Sequence, residues 1–312
     1  MGKKPLTFVA FEIGTDNLKL VEMTREENRV LSAGIFPLTP GRGRDSGHLA
    51  SQIRLALETT ARGNLRGLIA SVALGEAALR VIEVPPDAEA DEYAAWDMSL
   101  YLGLPVGEFT LDVSPGAGDG TESQTVVAAA LPIATTTTLR DTLETATGLV
   151  LTALDVDAAA LVNVFGANYP ELASDRALLI HANTAATALV RTHKGEFHGA
   201  VARRDAKEAL RADADAQERA EGLLRLARGI AETVRTSADG WDSPSHIMLC
   251  GDLATDTDFR ELLRAHLSQP VSLFNPFRNI PGPDPLEFAK AYPGGPLAAT
   301  VGLALRLVEE SR

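Results

Sequence analysis

The chain has 312 residues, 45% of them hydrophobic and 23% charged, an ordinary globular composition with length enough for two domains. Its formal net charge of −13 argues against nucleic acid or an anionic lipid surface as the main partner, because both would be repelled. The single cysteine, Cys250, excludes an internal disulfide framework and fits a reducing compartment.

The opening MGKKPLTFVAF has an apolar run broken by Glu12, which makes it a poor signal peptide. No stretch approaches the ~20 apolar residues that span a bilayer, so a cytoplasmic protein is expected. Leu6 to Ile13 and Leu18 to Met23 read as strands joined by GTDN, where Gly14 is expected to supply the unusual dihedrals of a tight turn. After the polar loop TPGRGRDSG, Leu49, Ile53, Ala56 and Leu57 recur at helical spacing, with Asp45 or Ser46 as the cap. GLIASVAL and LRVIEV read as strands, and Pro85-Pro86 ends that section.

The pattern then changes. DEYAAWDMSLYLGLP reads as a helix with Tyr93, Trp96, Leu100 and Tyr101 near one face, and Trp96 is expected in the core of a small unit. FTLDVSPGAGDGTESQTVVAAALPI reads as two strands around a glycine-rich loop. This unit, about residues 87–134, looks inserted, because Thr138 to Thr147 resumes a plain amphipathic helix that stops at Gly148. Near residue 172 the opening pattern returns. RALLIHANTAATALVRTHKGEFHGAVA gives strand, turn, strand, a Lys-Gly turn and strand. A long helix follows with Leu223, Leu226, Ile230 and Val234 on one face. HIMLCGDLA is a strand running into a glycine turn, followed by the helix DFRELLRAHL, the strand VSLF and a closing helix from Pro296. Two halves of this kind suggest duplicated α/β domains around a cleft, 1–172 and 173–312.

Metal-ligand spacing is missing, and His181, His193 and His198 read as solvent-facing strand or turn positions. There is no Walker A loop and no nucleophile elbow. The mixed run RRDAKEALRADADAQERAE reads as a solvated helix face.

Taken in order, FEIGTDNLKLVEM, VIEVPP, YLGLPVGEFTLDV, LRDTLETATGLVLTALDVDAAALVNVF, ALLIHANTAATALVRTHKGEF, IMLCGDLA and PVSLFNPF resemble the PilM family of type IV pilus assembly, with FtsA at longer range. The resemblance spans nearly the whole chain. It implies an α/β, actin/Hsp70-like fold of two domains with a nucleotide cleft and a small inserted α+β subdomain. The family's partner is the cytoplasmic N-terminal tail of the membrane protein PilN.

In such a family the first phosphate hairpin reads Asp-x-Gly followed by small polar residues and a lysine. Gly14 and Lys19 match, so the resemblance places a phosphate at the backbone from Gly14 through Thr15 to Asn17, with Lys19 as counter-charge. Glu12 stands in place of the aspartate, one methylene longer where Mg²⁺ is exacting about geometry. Asp16 adds a carboxylate that would repel phosphate. The second hairpin carries His181, Ala182 and Asn183 instead of Asp-x-Gly, with Thr184 and Thr187 offering hydroxyls. At the adenosine segment Gly251 remains, but Asp252 puts a charge where a base or ribose would pack.

The resemblance with these departures implies a cytoplasmic scaffold of an inner-membrane pilus or secretion platform, peripheral to the membrane only through a PilN-like partner. The cleft is then expected to be degenerate, holding no cofactor or only weakly bound ATP/Mg. Tyr101 and Phe109 are the partner-binding candidates, and a platform role is compatible with a homo-oligomer. The alternative is an active actin-like ATPase coupling nucleotide state to pilus assembly.

Overall fold

The computed structural model describes all residues except 1–3, 15, 40–44, 117–123, 185, 205–213, 237–243, 283–289, 293–294 and 311–312. The chain builds the same five-stranded sheet twice. In the first, β1 (Leu6–Ile13), β2 (Asn17–Thr24) and β3 (Val30–Pro37) form an antiparallel meander. β4 (Asn64–Val72) then runs parallel to β1, and β8 (Leu151–Val156) parallel to β4, giving the order β3-β2-β1-β4-β8. In the second, β9 (Ala177–Ala182), β10 (Thr187–His193) and β11 (Glu196–Arg203) repeat the meander. β12 (His246–Cys250) and β13 (Val271–Leu273) add the parallel strands, in the order β11-β10-β9-β12-β13. The Lys194-Gly195 turn between β10 and β11 has φ of 54° and 76°. Positive φ at both central residues is the hairpin geometry that matches strand twist.

The helices cover these sheets in layers. Helices α1 (Ser46–Thr60) and α3 (Ile133–Thr147) pack together over one face of the first sheet. Asp45 caps α1, its Oδ1 accepting from the His48 N–H at 2.8 Å. Gly148, at φ 69°, ends α3 in the left-handed conformation. Helices α4 (Asp157–Asn168) and α7 (Ala298–Glu310) pack on each other, and α7 lies against β1, β2 and β4. A Cβ at Gly302 on α7 would overlap the Ala160 carbonyl of α4, so a glycine sets that close approach. Helix α4 also touches β10 and β11, which places it between the two sheets. Helices α5 (Ala216–Thr236) and α6 (Thr257–His266) cover the other face of the second sheet through Leu223, Leu226, Ile230, Phe259 and Leu263.

Between β4 and α3 stand β5 (Ala78–Val84), α2 (Ala90–Leu102), β6 (Phe109–Pro115) and β7 (Gln124–Pro132). The strands form a separate sheet in the order β5-β7-β6. Its own small core joins Ala94 and Met98 of α2 to Ile82, Phe109 and Val126. No helix among the described residues is long and apolar enough to cross a membrane.

Candidate functional site: the cleft between the two hairpins

Strands β1 and β2 pair so that Glu12 stands opposite Lys19. Lys19 is fully buried, with Nζ 2.8 Å from Glu12 Oε1 and 3.2 Å from Asp252 Oδ1. Burial alone would lower the pKa of this ammonium, but the facing charges of Glu12 and Asp252 outweigh it and hold it above the ordinary lysine value. The lysine is therefore charged, and its charge is already matched. Glu12 is fixed from behind, its Oε2 accepting from Thr300 Oγ1 of α7 at 3.0 Å.

The two hairpin tips share one turn. The Gly14 N–H donates to the Asn17 carbonyl at 2.9 Å, and the Asn183 N–H donates to the Ala186 carbonyl at 3.0 Å. The strand registers then equate Glu12 with His181 and Lys19 with Ala188. The second hairpin thus has neither the carboxylate nor the lysine of the first. The tips are joined across the cleft: Thr184 Oγ1 donates to Asp16 Oδ2 at 2.7 Å, and Asn17 Nδ2 to Asp252 Oδ2 at 2.8 Å. The Asp252 N–H donates to Asn183 Oδ1 at 3.1 Å. Gly251, at φ 97°, allows this approach, since a Cβ there would lie 2.5 Å from the Ala182 carbonyl oxygen.

A cavity of about 280 Å³ opens between these elements. Its acidic lining comprises Glu12, Asp16, Glu76, Asp157 and Asp252, with Arg204 as the basic member. The Arg204 guanidinium donates to the Gly75 carbonyl, tying the end of β11 to the turn after β4. No group of three or more His, Cys, Asp or Glu able to hold a metal ion occurs among the described residues.

Of the residues read from sequence, Glu12, Gly14, Asn17, Asn183 and Thr184 line this cavity. Lys19 lies buried against Glu12 and Asp252, and Gly251 shapes the approach of Asp252. Thr15 lies outside the described residues. The expectations differ from the structure at several points. Gly14 does not have positive φ; what a side chain there would lack is room, because a Cβ would sit 3.0 Å from the Asn17 carbonyl oxygen. His181 is buried rather than solvent-facing. Its Nδ1 is 3.5 Å from Asp157 Oδ2, and its Nε2 is 3.2 Å from Asn183 Nδ2. Thr187 is fully buried within β10, its hydroxyl without a hydrogen-bond partner, and offers nothing to the cleft. Sequence reasoning missed Asp157, which begins α4 and accepts the Leu74 N–H at 2.8 Å. Its signal is an acid opening the apolar helix DAAALVNVF, which also reads as an ordinary helix-start charge.

The inserted unit brings its own corrections. Trp96 is 54% exposed, because Ala94 and Met98 form the buried face of α2 instead. Phe109 is 6% exposed and sits inside the small core, so it has no free surface for a partner. Tyr101 is exposed, with the Arg80 guanidinium 4.7 Å from its ring centroid. The two partner candidates belong to opposite margins of the unit, since Arg80 lies on β5 and Phe109 on β6.

Compared with known proteins, the chain matches no family profile and no curated protein sequence. Solved structures do match, and with the duplicated sheets they define the class: an actin/Hsp70-like α/β fold. The particular likeness is to a chain of a PilM-PilN type IV pilus biogenesis complex, at 22% identity and TM-score 0.83, covering 96% of this chain and 98% of that one. The PilM-like fold expected from the sequence is thereby shown. The ethanolamine utilization protein EutJ from Carboxydothermus hydrogenoformans aligns over 96% of this chain and 90% of its own, at 13% identity and TM-score 0.53. A component A of (R)-2-hydroxyglutaryl-CoA dehydratase from Acidaminococcus fermentans aligns over 98% and 99%, at 9% identity and TM-score 0.51.

Proposed function

We propose that this chain is a cytoplasmic scaffold of a type IV pilus or related inner-membrane assembly platform, and that it captures the cytoplasmic tail of a PilN-like membrane protein. The reading of the fold is supported by the near-complete overlap with the PilM-PilN complex chain. The observation that carries the scaffold over the ATPase is the commitment of Lys19. Its ammonium is matched by Glu12 and Asp252 inside the fold, in a cleft whose lining is mostly carboxylate. A nucleoside triphosphate would bring further negative charge against Asp16 and Asp252, and the hairpin opposite adds no lysine, its Ala188 standing in the register position of Lys19. These residues do not fit the polyphosphate, and no catalytic step is assigned to it. The chain's own Thr184–Asp16 and Asn17–Asp252 bonds hold the lobes together in its place.

The partner site in this reading is the inserted unit. Strand β6 lies at the end of the order β5-β7-β6, so its outer edge has no strand neighbour among the described residues. An extended tail pairing there gains main-chain hydrogen bonds that offset the entropy of ordering it. Phe109 supports that strand from within, while exposed Tyr101 stands at the opposite margin beside Arg80 of β5 and does not share this edge. In this reading association with the membrane follows only through the partner. The test is co-purification with the PilN-like protein of the same genome, with and without its cytoplasmic tail, alongside calorimetry with Mg-ATP. Tail-dependent capture without tight nucleotide binding is expected. Tight Mg-ATP binding with steady phosphate release abolished by Lys19→Ala would establish the ATPase instead.

A further inference from the structure

The face of α2 turned away from its sheet carries large apolar side chains that stay exposed among the described residues. Trp96 and Leu100 fall one turn apart on the side opposite buried Ala94 and Met98, and half-buried Tyr93, which packs partly on the small core, flanks them. The Tyr93 and Trp96 rings pack at 5.5 Å between centroids, Leu100 is 65% exposed, and Val106 just beyond the helix is 64% exposed. Exposed large apolar side chains gathered in this way mark interaction surfaces more often than isolated ones do. The rim is acidic: Glu89, Asp91 and Glu92 stand exposed at the start of the helix, and Glu108 beyond its end. Arg80 at the margin is already engaged, 3.0 Å from Asp97 Oδ1 and stacked on Tyr101.

We infer that this face docks a basic amphipathic helix of a partner protein. Helical spacing of the stripe suits a second helix laid along it, ridge into groove, better than an extended strand. The carboxylates at the two ends of this face complement Lys or Arg near the ends of the partner's apolar stripe, raising the rate of encounter and fixing its register. The same carboxylates repel anionic headgroups, which disfavours a membrane surface. The site lies on the helix, not on the β6 edge, so it stands or falls separately from tail capture.

The test uses the full chain and a fluorescent synthetic helix of Leu and Lys, roughly five turns long, with Leu confined to one stripe. Binding is expected, and Trp96→Ala or Leu100→Glu should each weaken it by about tenfold or more, as losing a central anchor does. The pair Glu89→Lys and Glu92→Lys should weaken it in a salt-dependent way. Thermal unfolding should show that all variants remain folded. A peptide of the same composition with its Leu scattered should bind at least about tenfold more weakly. The proposal is overturned by equal affinity for both peptides, or by indifference to Trp96→Ala and Leu100→Glu. It is equally overturned by no peptide binding, by binding to phosphatidylcholine–phosphatidylglycerol vesicles, or by self-association that Leu100→Glu abolishes.

Discussion

Asp16 and Thr184 meet at 2.7 Å although 168 residues separate them in the chain. Each sits at the tip of one of two hairpins of matching register, so this bond joins the two lobes across the cleft. The electrostatics of the cleft follow from that closure.

Lys19 is expected to be a structural cation. Replacing it with Met leaves Glu12 and Asp252 without their partner, and breaking such a buried pair costs about 3–5 kcal/mol. Urea unfolding of Lys19→Met should show this loss, and Mg-ATP should leave the wild-type midpoint in place. A wild-type midpoint that climbs with Mg-ATP would mean that the lysine serves a nucleotide.

Removing negative charge from the cleft should make nucleotide binding better, not worse. Asp16→Asn with Asp252→Asn takes away two carboxylates that repel phosphate and frees part of the Lys19 charge. Calorimetry should then detect Mg-ATP binding at least about tenfold tighter than in the wild type, the equivalent of roughly 1.4 kcal/mol. Weaker binding in the double variant would show that these carboxylates serve the nucleotide.

Glu22 offers a test of the scaffold alone. Its fully buried carboxylate accepts from Thr7 Oγ1 at 2.8 Å, Ser32 Oγ at 2.9 Å, and the Arg62 and Gly63 N–H groups, each at 2.7 Å. Glu22→Gln turns an NH₂ group toward donors, and each buried donor left unmatched costs about 1–3 kcal/mol. Thermal unfolding should show a clear fall. An unchanged midpoint would mean that the cage contributes nothing to stability.

His198 should give the fold a weak sensitivity to acid. Burial first, and then the charge of neighbouring His193, hold its pKa below the ordinary histidine value. A depressed folded pKa means the stabilising contribution is complete above the unfolded pKa and disappears as pH falls through the folded one. The unfolding midpoint should therefore decline on acidification below the ordinary histidine pKa, and His198→Gln should flatten that slope. The same slope in the variant would assign the acid sensitivity to other groups.

The sequence shows most clearly what is local. The first hairpin is legible because two apolar runs flank a tight turn, although Lys19 reads there as a phosphate counter-charge and not as the partner of Glu12. The caps at Asp45 and Gly148 follow from residue type. Long-range geometry is not legible in the same way. Nothing near Asp16 in the chain announces Thr184, and His181 reads as a surface residue until β9 is seen buried between β10 and β12. Trp96 misled for a related reason. Its bulk suggests a core, but on α2 Ala94 and the unbranched Met98 occupy the face against the sheet, leaving the Trp96 ring outside.

Helix α7 supplies one face of the first sheet, meeting α4 at Gly302 and Ala160 and securing Glu12 through Thr300. During synthesis that face stays open until residues 298–310 have left the ribosome. The lobe holding β1 is thus completed only after every strand of the second sheet has been made, and a nascent chain halted before residue 298 would expose β1, β2 and β4 to chaperones.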